Sequence, residues 1–227
     1  MGLSQTEKFH WMSSFSFQYD IKKPSSYNQN TKVIIMFHGY GSNKEDLFSF
    51  SNFMNPEYLI ISIQAPIKLD YNSYCWWSLQ YDNNMRLTMD PDEAIDTVDN
   101  LDEFISKFLS KKYNFISKQI YLAGFSQGCM ISYTLSINYP KKYKRVIGLS
   151  GKIPYEILKY EMKEDYIDHI FFCSHGIYDQ VIPIEIGRES DEWLSKNGIN
   201  HKFLEFDSAH EINADNFEQM SNWLKDI

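Results

Sequence analysis

Short apolar segments recur along the chain and predict buried β-strands. Each is a continuous run rather than an alternation, which is typical of strands covered by helices on both faces. The predicted strands are VIIMF (33–37), LIISI (59–63), QIYLA (119–123), RVIGL (145–149), IFFCS (170–174) and KFLEF (202–206). The earlier segment SFSFQY (14–19) does alternate, and we expect it to form an antiparallel edge strand.

Helical periodicity fills the intervals between these strands. Before the first helix, Asp90 and Pro91 supply a cap and a first-turn proline. The second helix is apolar on nearly all sides and is therefore expected to be buried. The third ends before Asn197 and Gly198, a common helix stop. The predicted helices span 92–110, 128–138, 185–196 and 215–226.

This alternation of strands and helices predicts an α/β fold. Parallel strands joined by helices make right-handed crossovers, so we expect a mainly parallel central sheet with helices on both faces. The 227 residues show no repeat and no linker, and the chain 1–227 is predicted to be a single domain. Only the segment 64–91 is long between elements. It is a candidate cap or aromatic loop, and there is little sign of a larger lid.

Composition narrows the class of protein. A formal net charge of −8 argues against a nucleic-acid partner. No apolar run reaches the roughly 18 residues of a membrane span, and the N-terminus lacks the order of a signal peptide. The three cysteines fit free thiols in a reducing compartment. We therefore expect a soluble, cytoplasmic protein without stable membrane insertion. The opening MGLSQT fits the loose myristoylation pattern and leaves lipidation open.

The segment GFSQG (124–128) places Ser126 between two glycines, after a predicted strand and before the buried helix. The pattern G-x-S-x-G in that context is typical of a nucleophilic serine on a sharp turn. Side chains at 124 and 128 would collide with the backbone there, and the N-terminal end of the helix favours developing negative charge. The alternative is an ordinary turn. The strand and helix on either side favour the nucleophile.

A serine hydroxyl needs a base, and the chain has six histidines. His210 follows the last predicted strand. The carboxyl ends of parallel strands meet at one edge of a sheet, so His210 is expected at the same edge as Ser126. The other five have simpler explanations as strand-end, loop-shaping or surface residues: His10, His38, His169, His175 and His201.

The base in turn needs a carboxylate that orients it. Asp179 follows the strand 170–174 and reaches the same edge. The order Ser126, Asp179, His210 is also a known order for such triads. The rival carboxylates are less well placed. Two precede the strand 170–174, one lies inside a helix, and one is crowded into the same short turn as His210; they are, in that order, Asp165 and Asp168, Asp191, and Asp207.

A tetrahedral oxyanion usually needs two backbone N–H donors. One is expected from Gln127, the residue after the nucleophile. The other is expected from the loop FHGYGSNKEDL, in which Gly39 and Gly41 leave the N–H of Tyr40 as the candidate. The alternatives are a simple glycine-rich turn or a phosphate loop. The segment lacks G-x-x-x-x-G-K-[ST], and the chain has no G-x-G-x-x-G.

A substrate pocket is expected beside these groups. The aromatic segment 71–85 joins a strand to a helix at the same edge, and Trp76 and Trp77 are candidates for the wall of an acyl groove. Val181 and Ile182, next to the acid, are candidates for its lining. The alternative for the two indoles is that they pack over the core.

Together these segments resemble the phospholipase/carboxylesterase branch of the α/β-hydrolases, which includes the acyl-protein thioesterases. VIIMFHGYGSNKEDL, IQAP with a nearby WW, IYLAGFSQGCM, SHGIYDQVIP and DSAHEI stand in the family's order and approximate spacing. The resemblance implies the α/β-hydrolase fold, the triad Ser126, Asp179 and His210, oxyanion donors at Tyr40 and Gln127, and hydrolysis without a cofactor.

Two departures from the family's pattern bear on the shape of the substrate site. Cys129 stands where a second glycine commonly follows the serine motif. Ser78 follows the tryptophan pair, where an acidic residue is usual. Neither position belongs to the predicted triad.

The predicted function is hydrolysis of carboxylic esters or thioesters through an acyl-enzyme. No cluster in the sequence has metal-ligand spacing, so a metal hydrolase is not expected. Because there is little sign of a larger lid, small or medium acyl groups are favoured over bulk triglyceride. A peptidase or lactone hydrolase on the same triad is one alternative, and a non-catalytic protein that keeps the scaffold is another. The physiological substrate, the ester or thioester preference, and the choice between monomer and homodimer stay open.

Overall fold

The structure is a computed structural model that describes residues 16–81, 87–159 and 163–227. Its strands are β1 (Tyr19–Lys22), β2 (Val33–Phe37), β3 (Leu59–Ile63), β4 (Ile67–Asp70), β5 (Ser73–Cys75), β6 (Leu79–Tyr81), β7 (Leu87–Met89), β8 (Ile120–Phe125), β9 (Arg145–Leu149), β10 (Ile170–Gly176) and β11 (Asn200–Phe206). Within the described ranges, seven strands form the central sheet in the order β1-β3-β2-β8-β9-β10-β11. Among these seven strands, only β1 is antiparallel to its neighbour in the sheet.

Helices connect these strands. They are α1 (Glu45–Phe48), α2 (Pro91–Glu103), α3 (Ser110–Tyr113), α4 (Gln127–Asn138), α5 (Ile184–Lys196) and α6 (Ala214–Asp226). A π-helical segment, Phe104–Leu109, joins α2 to α3. As the cap signal predicted, the Asp90 carboxylate accepts a hydrogen bond from the Asp92 N–H at 2.9 Å, and Pro91 occupies the first turn.

The predicted α/β class and mainly parallel sheet are confirmed. Two elements differ in detail. The helix expected over 92–110 changes to π geometry after Glu103, where the helical turn widens. The edge strand expected at 14–19 lies at Tyr19–Lys22, where Tyr19 pairs with Ile63 of β3. Residues 14 and 15, like MGLSQT and His10, lie outside the described residues.

Both faces of the sheet are covered by apolar packing. In β2, Val33, Ile35 and Phe37 join one core cluster, which also receives residues of α2. Ile34 and Met36 point the other way, into a second cluster with residues of α6. All five β2 residues are therefore buried, which explains their uninterrupted apolar run.

The parallel strands place four loops at one edge. The loops after β2, β8, β10 and β11 all leave the carboxyl edge of the sheet and carry Tyr40, Ser126, Asp179 and His210. In the described ranges no helix has the length and apolar character needed to span a bilayer.

Candidate active site

Ser126 lies on a strained turn between β8 and α4. Its backbone φ is 54° and ψ is −116°, outside the regions that non-glycine residues favour. The turn is held because the Ser126 N–H donates to the Leu149 carbonyl of β9 at 2.9 Å, while the Ser126 carbonyl accepts from the Cys129 N–H at 3.0 Å. Ser126 is only 9% exposed, so its side chain is enclosed by neighbouring residues.

The glycines around the serine permit this close turn. A Cβ on Gly124 would lie 2.0 Å from the Gly128 carbonyl oxygen, and a Cβ on Gly128 would lie 1.9 Å from the Phe37 carbonyl oxygen of β2. Any side chain at either position would therefore overlap the backbone. The first helix turn packs directly on two strands, which fixes the height of Ser126 above the sheet edge.

Three predicted residues meet through hydrogen bonds. His210 Nε2 is 2.9 Å from Ser126 Oγ, and His210 Nδ1 is 2.6 Å from Asp179 Oδ2. A carboxylate only accepts, so the Nδ1 proton is donated to Asp179, and Nε2 is free to accept from the serine hydroxyl. The geometry is that of a nucleophile, a base and an orienting acid.

The Asp179 carboxylate is fixed by its own loop. Its Oδ1 accepts from the N–H groups of Val181 and Ile182, at 2.8 and 2.9 Å. The side chain is 0% exposed. Because Oδ1 is occupied, Oδ2 is the oxygen turned towards His210. The place of Asp179 at the sheet edge is predicted from the sequence, whereas no sequence signal indicates the two backbone donors that orient it.

The predicted oxyanion donors flank the serine. A Cβ on Gly39 would lie 3.4 Å from Ser126 Cβ, so the loop that carries Tyr40 passes against Ser126. Gln127 is the first residue of α4. In the part of the chain that the structure describes, no backbone carbonyl accepts from the N–H of Tyr40 or Gln127. Both donors remain available for a ligand, and their role stays a prediction.

His38 fixes the start of the loop that carries Tyr40 through hydrogen bonds of its ring. Its Nδ1 lies 2.8 Å from the Gly39 carbonyl, which only accepts, and its Nε2 accepts from the Ala65 N–H at 3.1 Å. These partners require a neutral ring with the proton on Nδ1. Burial lowers the pKa of His38 to about 4, which keeps it neutral near pH 7. The expected loop-shaping role is thus a hydrogen-bonded link between the loops after β2 and β3.

The two tryptophans require a correction. Trp76 and Trp77 are both 0% exposed and belong to the core, which was the alternative to a groove wall. The physical reason is the Gln127 side chain: its Oε1 accepts from the Trp76 N–H and its Nε2 donates to the Trp77 carbonyl, each at 2.9 Å. The Trp76 indole also donates to the His38 carbonyl at 2.8 Å. The aromatic segment is therefore held inward by Gln127 and the His38 carbonyl.

The other two pocket candidates, Val181 and Ile182, differ in their exposure. The Val181 side chain is exposed, at 67%, and is available to a substrate next to Asp179. Ile182 is 8% exposed and offers little surface to a groove. Exposed aromatic surface comes instead from Tyr40 and Tyr178, at 42% and 63%. The residues exposed on these loops therefore differ from the predicted pocket lining.

We predict that Trp77→Ala destabilises the fold rather than changing substrate preference. Truncating a fully buried aromatic residue costs about 3–5 kcal/mol, whereas Val181→Ala at an exposed position should change the free energy of unfolding by less than about 0.5 kcal/mol. Urea unfolding measures both. A stable Trp77→Ala protein with an altered preference along a series of acyl esters would contradict the core assignment.

Comparison with known proteins gives the family. The family model described as phospholipase/carboxylesterase matches residues 21–227. Acyl-protein thioesterase 1 of Yarrowia lipolytica is 23% identical over 218 residues, which cover 87% of this chain and 92% of the relative. A probable carboxylesterase, SOBER1-like, of Arabidopsis thaliana is 25% identical over 207 residues, covering 85% and 77%.

The fold has close structural counterparts. The crystal structure of a Bacillus cereus carboxylesterase superposes with a TM-score of 0.81 at 18% identity, covering 97% of this chain and 99% of that one. Acyl-protein thioesterase 2 of Zea mays superposes with a TM-score of 0.73 at 17% identity, covering 92% and 98%. These neighbours have the α/β-hydrolase fold. From the family match over residues 21–227, the chain belongs to the phospholipase/carboxylesterase family.

Proposed function

We propose that this protein is a serine hydrolase that cleaves carboxylic esters or thioesters. One observation carries the proposal: a continuous chain of hydrogen bonds from Ser126 Oγ to His210 Nε2, at 2.9 Å, and from His210 Nδ1 to Asp179 Oδ2, at 2.6 Å. Such a relay raises the nucleophilicity of a hydroxyl that is unreactive by itself. The names of the curated relatives, thioesterases and carboxylesterases, agree with this chemistry.

The reaction has two acyl-transfer steps. The Ser126 oxygen forms a bond to the acyl carbon as His210 Nε2 takes the hydroxyl proton; collapse of the tetrahedral intermediate breaks the bond to the leaving alkoxide or thiolate, which receives that proton. Water then attacks the acyl carbon and gives a proton to His210 Nε2; collapse of the second tetrahedral intermediate breaks the bond to Ser126 Oγ, which takes that proton back, and the carboxylic acid leaves. Asp179 holds the imidazole in the required tautomer and stabilises its charged form.

Charge on the acyl oxygen is the second requirement. We assign the N–H groups of Tyr40 and Gln127 to this oxyanion, because both flank the serine. Gln127 also stands at the N-terminal end of α4, where the helix dipole favours negative charge. Losing one such donor costs about 3–4 kcal/mol of transition-state stabilisation in other hydrolases. The proposed chemistry needs no metal and no cofactor.

The substrate class follows from the surface around the serine. Tyr40, Tyr178 and Val181 present exposed apolar surface on the loops that carry the oxyanion donor and the acid. We propose that the acyl chain lies along this surface, as suits small or medium acyl groups.

The three cysteines are free and buried, which supports a reducing, cytoplasmic location.

A substrate panel tests the proposal. Purified protein is given nitrophenyl acyl esters, acyl thioesters, lactones and peptides, and release of each product is followed. We expect turnover of the esters or thioesters, with an initial burst of nitrophenolate if deacylation is slow. Activity confined to lactones or peptides would move the function to that alternative, and a folded protein inactive on all four would refute it.

A further inference from the structure

The buried imidazole of His175 contacts the same carboxylate as His210 but takes no part in the proton transfers proposed above. His175 is the penultimate residue of β10 and is 1% exposed. Its Nε2 lies 2.8 Å from the Ile182 carbonyl oxygen and 3.4 Å from Asp179 Oδ2. The acid is thus approached by two imidazoles on the same oxygen.

The partners of His175 determine its tautomer. The Ile182 carbonyl only accepts, so His175 Nε2 carries a proton that it donates there, with the N–H dipole close to the carboxylate. The other side of the ring is closed by α5, because a Cβ on Gly187 would lie 2.6 Å from His175 Nδ1. The ring is therefore clamped between the helix and the loop of the acid.

Ile182 connects this imidazole to the triad. Its N–H donates to Asp179 Oδ1 at 2.9 Å, and its carbonyl is the group that His175 holds. A shift of the Ile182 peptide would move both the donor that orients the carboxylate and the loop that carries it. The direction of Asp179 Oδ2 towards His210 therefore depends on an imidazole that does not touch the serine.

We infer that His175 is a positioning residue of the catalytic machinery. It locks the turn from Asp179 to Ile182, so that the carboxylate faces His210 in the geometry needed for proton transfer. This inference rests on the proposed function. It assigns His175 no bond to substrate and no proton transfer in the cycle.

The charged groups near His175 include two carboxylates. Asp179 faces it from its own loop, and His210 contacts the same carboxylate oxygen. From β11 the register partner is Glu205, whose pKa is lowered chiefly by its hydrogen bond to Arg188 of α5. Arg188 meets Glu205 at 2.7 and 2.8 Å, so this neighbouring carboxylate already has a partner.

The test compares three substitutions with one control. His175→Leu removes the donor, and His175→Asn places its amide too close to the backbone to reach Ile182. His175→Gln places an amide nitrogen about where Nε2 lies. The control is His169→Leu, because His169 is also a fully buried histidine, one residue before β10 and at the opposite edge of the sheet from the triad.

We expect kcat on a nitrophenyl acyl ester to fall about 10- to 100-fold in His175→Leu and His175→Asn, by analogy with outer hydrogen-bond partners of metal ligands. KM should change less than about twofold, because no substrate contact is lost. His175→Gln should recover most of kcat, and His169→Leu should keep both kcat and KM.

Each result decides the inference. Rates are expressed per active site, by titration with a phosphonylating agent, so loss of folded protein does not count as loss of catalysis. Should His175→Leu fail to fold, the contrast between the Gln and Asn variants still decides. Wild-type kcat in both the Asn and Gln variants, or the same loss in His169→Leu, would overturn the positioning role alone. Inactive wild-type protein would remove the proposed function and this inference with it.

Discussion

Ser126→Ala is expected to reduce ester hydrolysis by about a millionfold, to near the background rate. The reason is that the acyl-enzyme proposed for this chain forms on Ser126 Oγ, and no acyl-enzyme can form without it. The fold should be unaffected. The serine hydroxyl makes no helix-capping hydrogen bond, and its contact with His210 Nε2 is the bond that the substitution removes. The measurements are kcat on a nitrophenyl acyl ester and the melting temperature.

Ser150→Ala is the matched control. Ser150 is likewise a buried serine with positive φ, 48°, one residue after β9. Its Oγ has no hydrogen-bond partner among the residues that the structure describes. The Ser150→Ala protein should therefore keep its ester-hydrolysing activity. Retained full activity in Ser126→Ala, or equal loss in the two variants, would refute Ser126 as the nucleophile.

The second large effect is expected from Asp179→Asn, which should lower kcat about 10⁴-fold, as the same change does in other serine hydrolases. The two N–H groups of Val181 and Ile182 require an acceptor at the Oδ1 position, so the Asn oxygen stays there and its NH₂ turns towards His210. His210 Nδ1 must then accept, and its proton moves to Nε2. That tautomer cannot take the proton of Ser126.

Asp207→Asn separates this effect from a general change of charge. Asp207 is exposed, lies three residues before His210, and was the rival acid closest to it in the sequence. It should retain activity within about twofold, as surface changes away from a site usually have small effects. Circular dichroism and the pH profile of both variants complete the comparison. If Asp207→Asn lost activity while Asp179→Asn kept it, the acid would be Asp207 rather than Asp179.

The sheet and the order of the site loops could be predicted from the sequence because they depend on local signals. Continuous apolar runs such as VIIMF predict strands buried on both faces, and parallel strands bring their following loops to one edge. The G-x-S-x-G motif indicates Ser126, and topology brings Asp179 and His210 to the same edge.

The inward aromatic segment could not be predicted in this way. The burial of Trp76 and Trp77 depends on the Gln127 amide, about 50 residues away in sequence. Only its backbone N–H had been given a role. In the same way, the sequence predicts that His175 shapes a loop but not its contact with Ile182, which forms only when the turn after β10 folds back. Contacts between a side chain and a distant backbone group leave no periodic pattern.

The most direct test of the account is to label the protein with a fluorophosphonate and locate the adduct by mass spectrometry. A phosphonyl group transfers to a serine only where a base activates the hydroxyl, so the reagent reports the relay itself rather than the identity of the substrate. We expect one adduct, on Ser126, that forms at a rate greatly reduced in His210→Ala. Folded wild-type protein that hydrolyses esters without labelling at Ser126, or labels at another residue, would contradict the account.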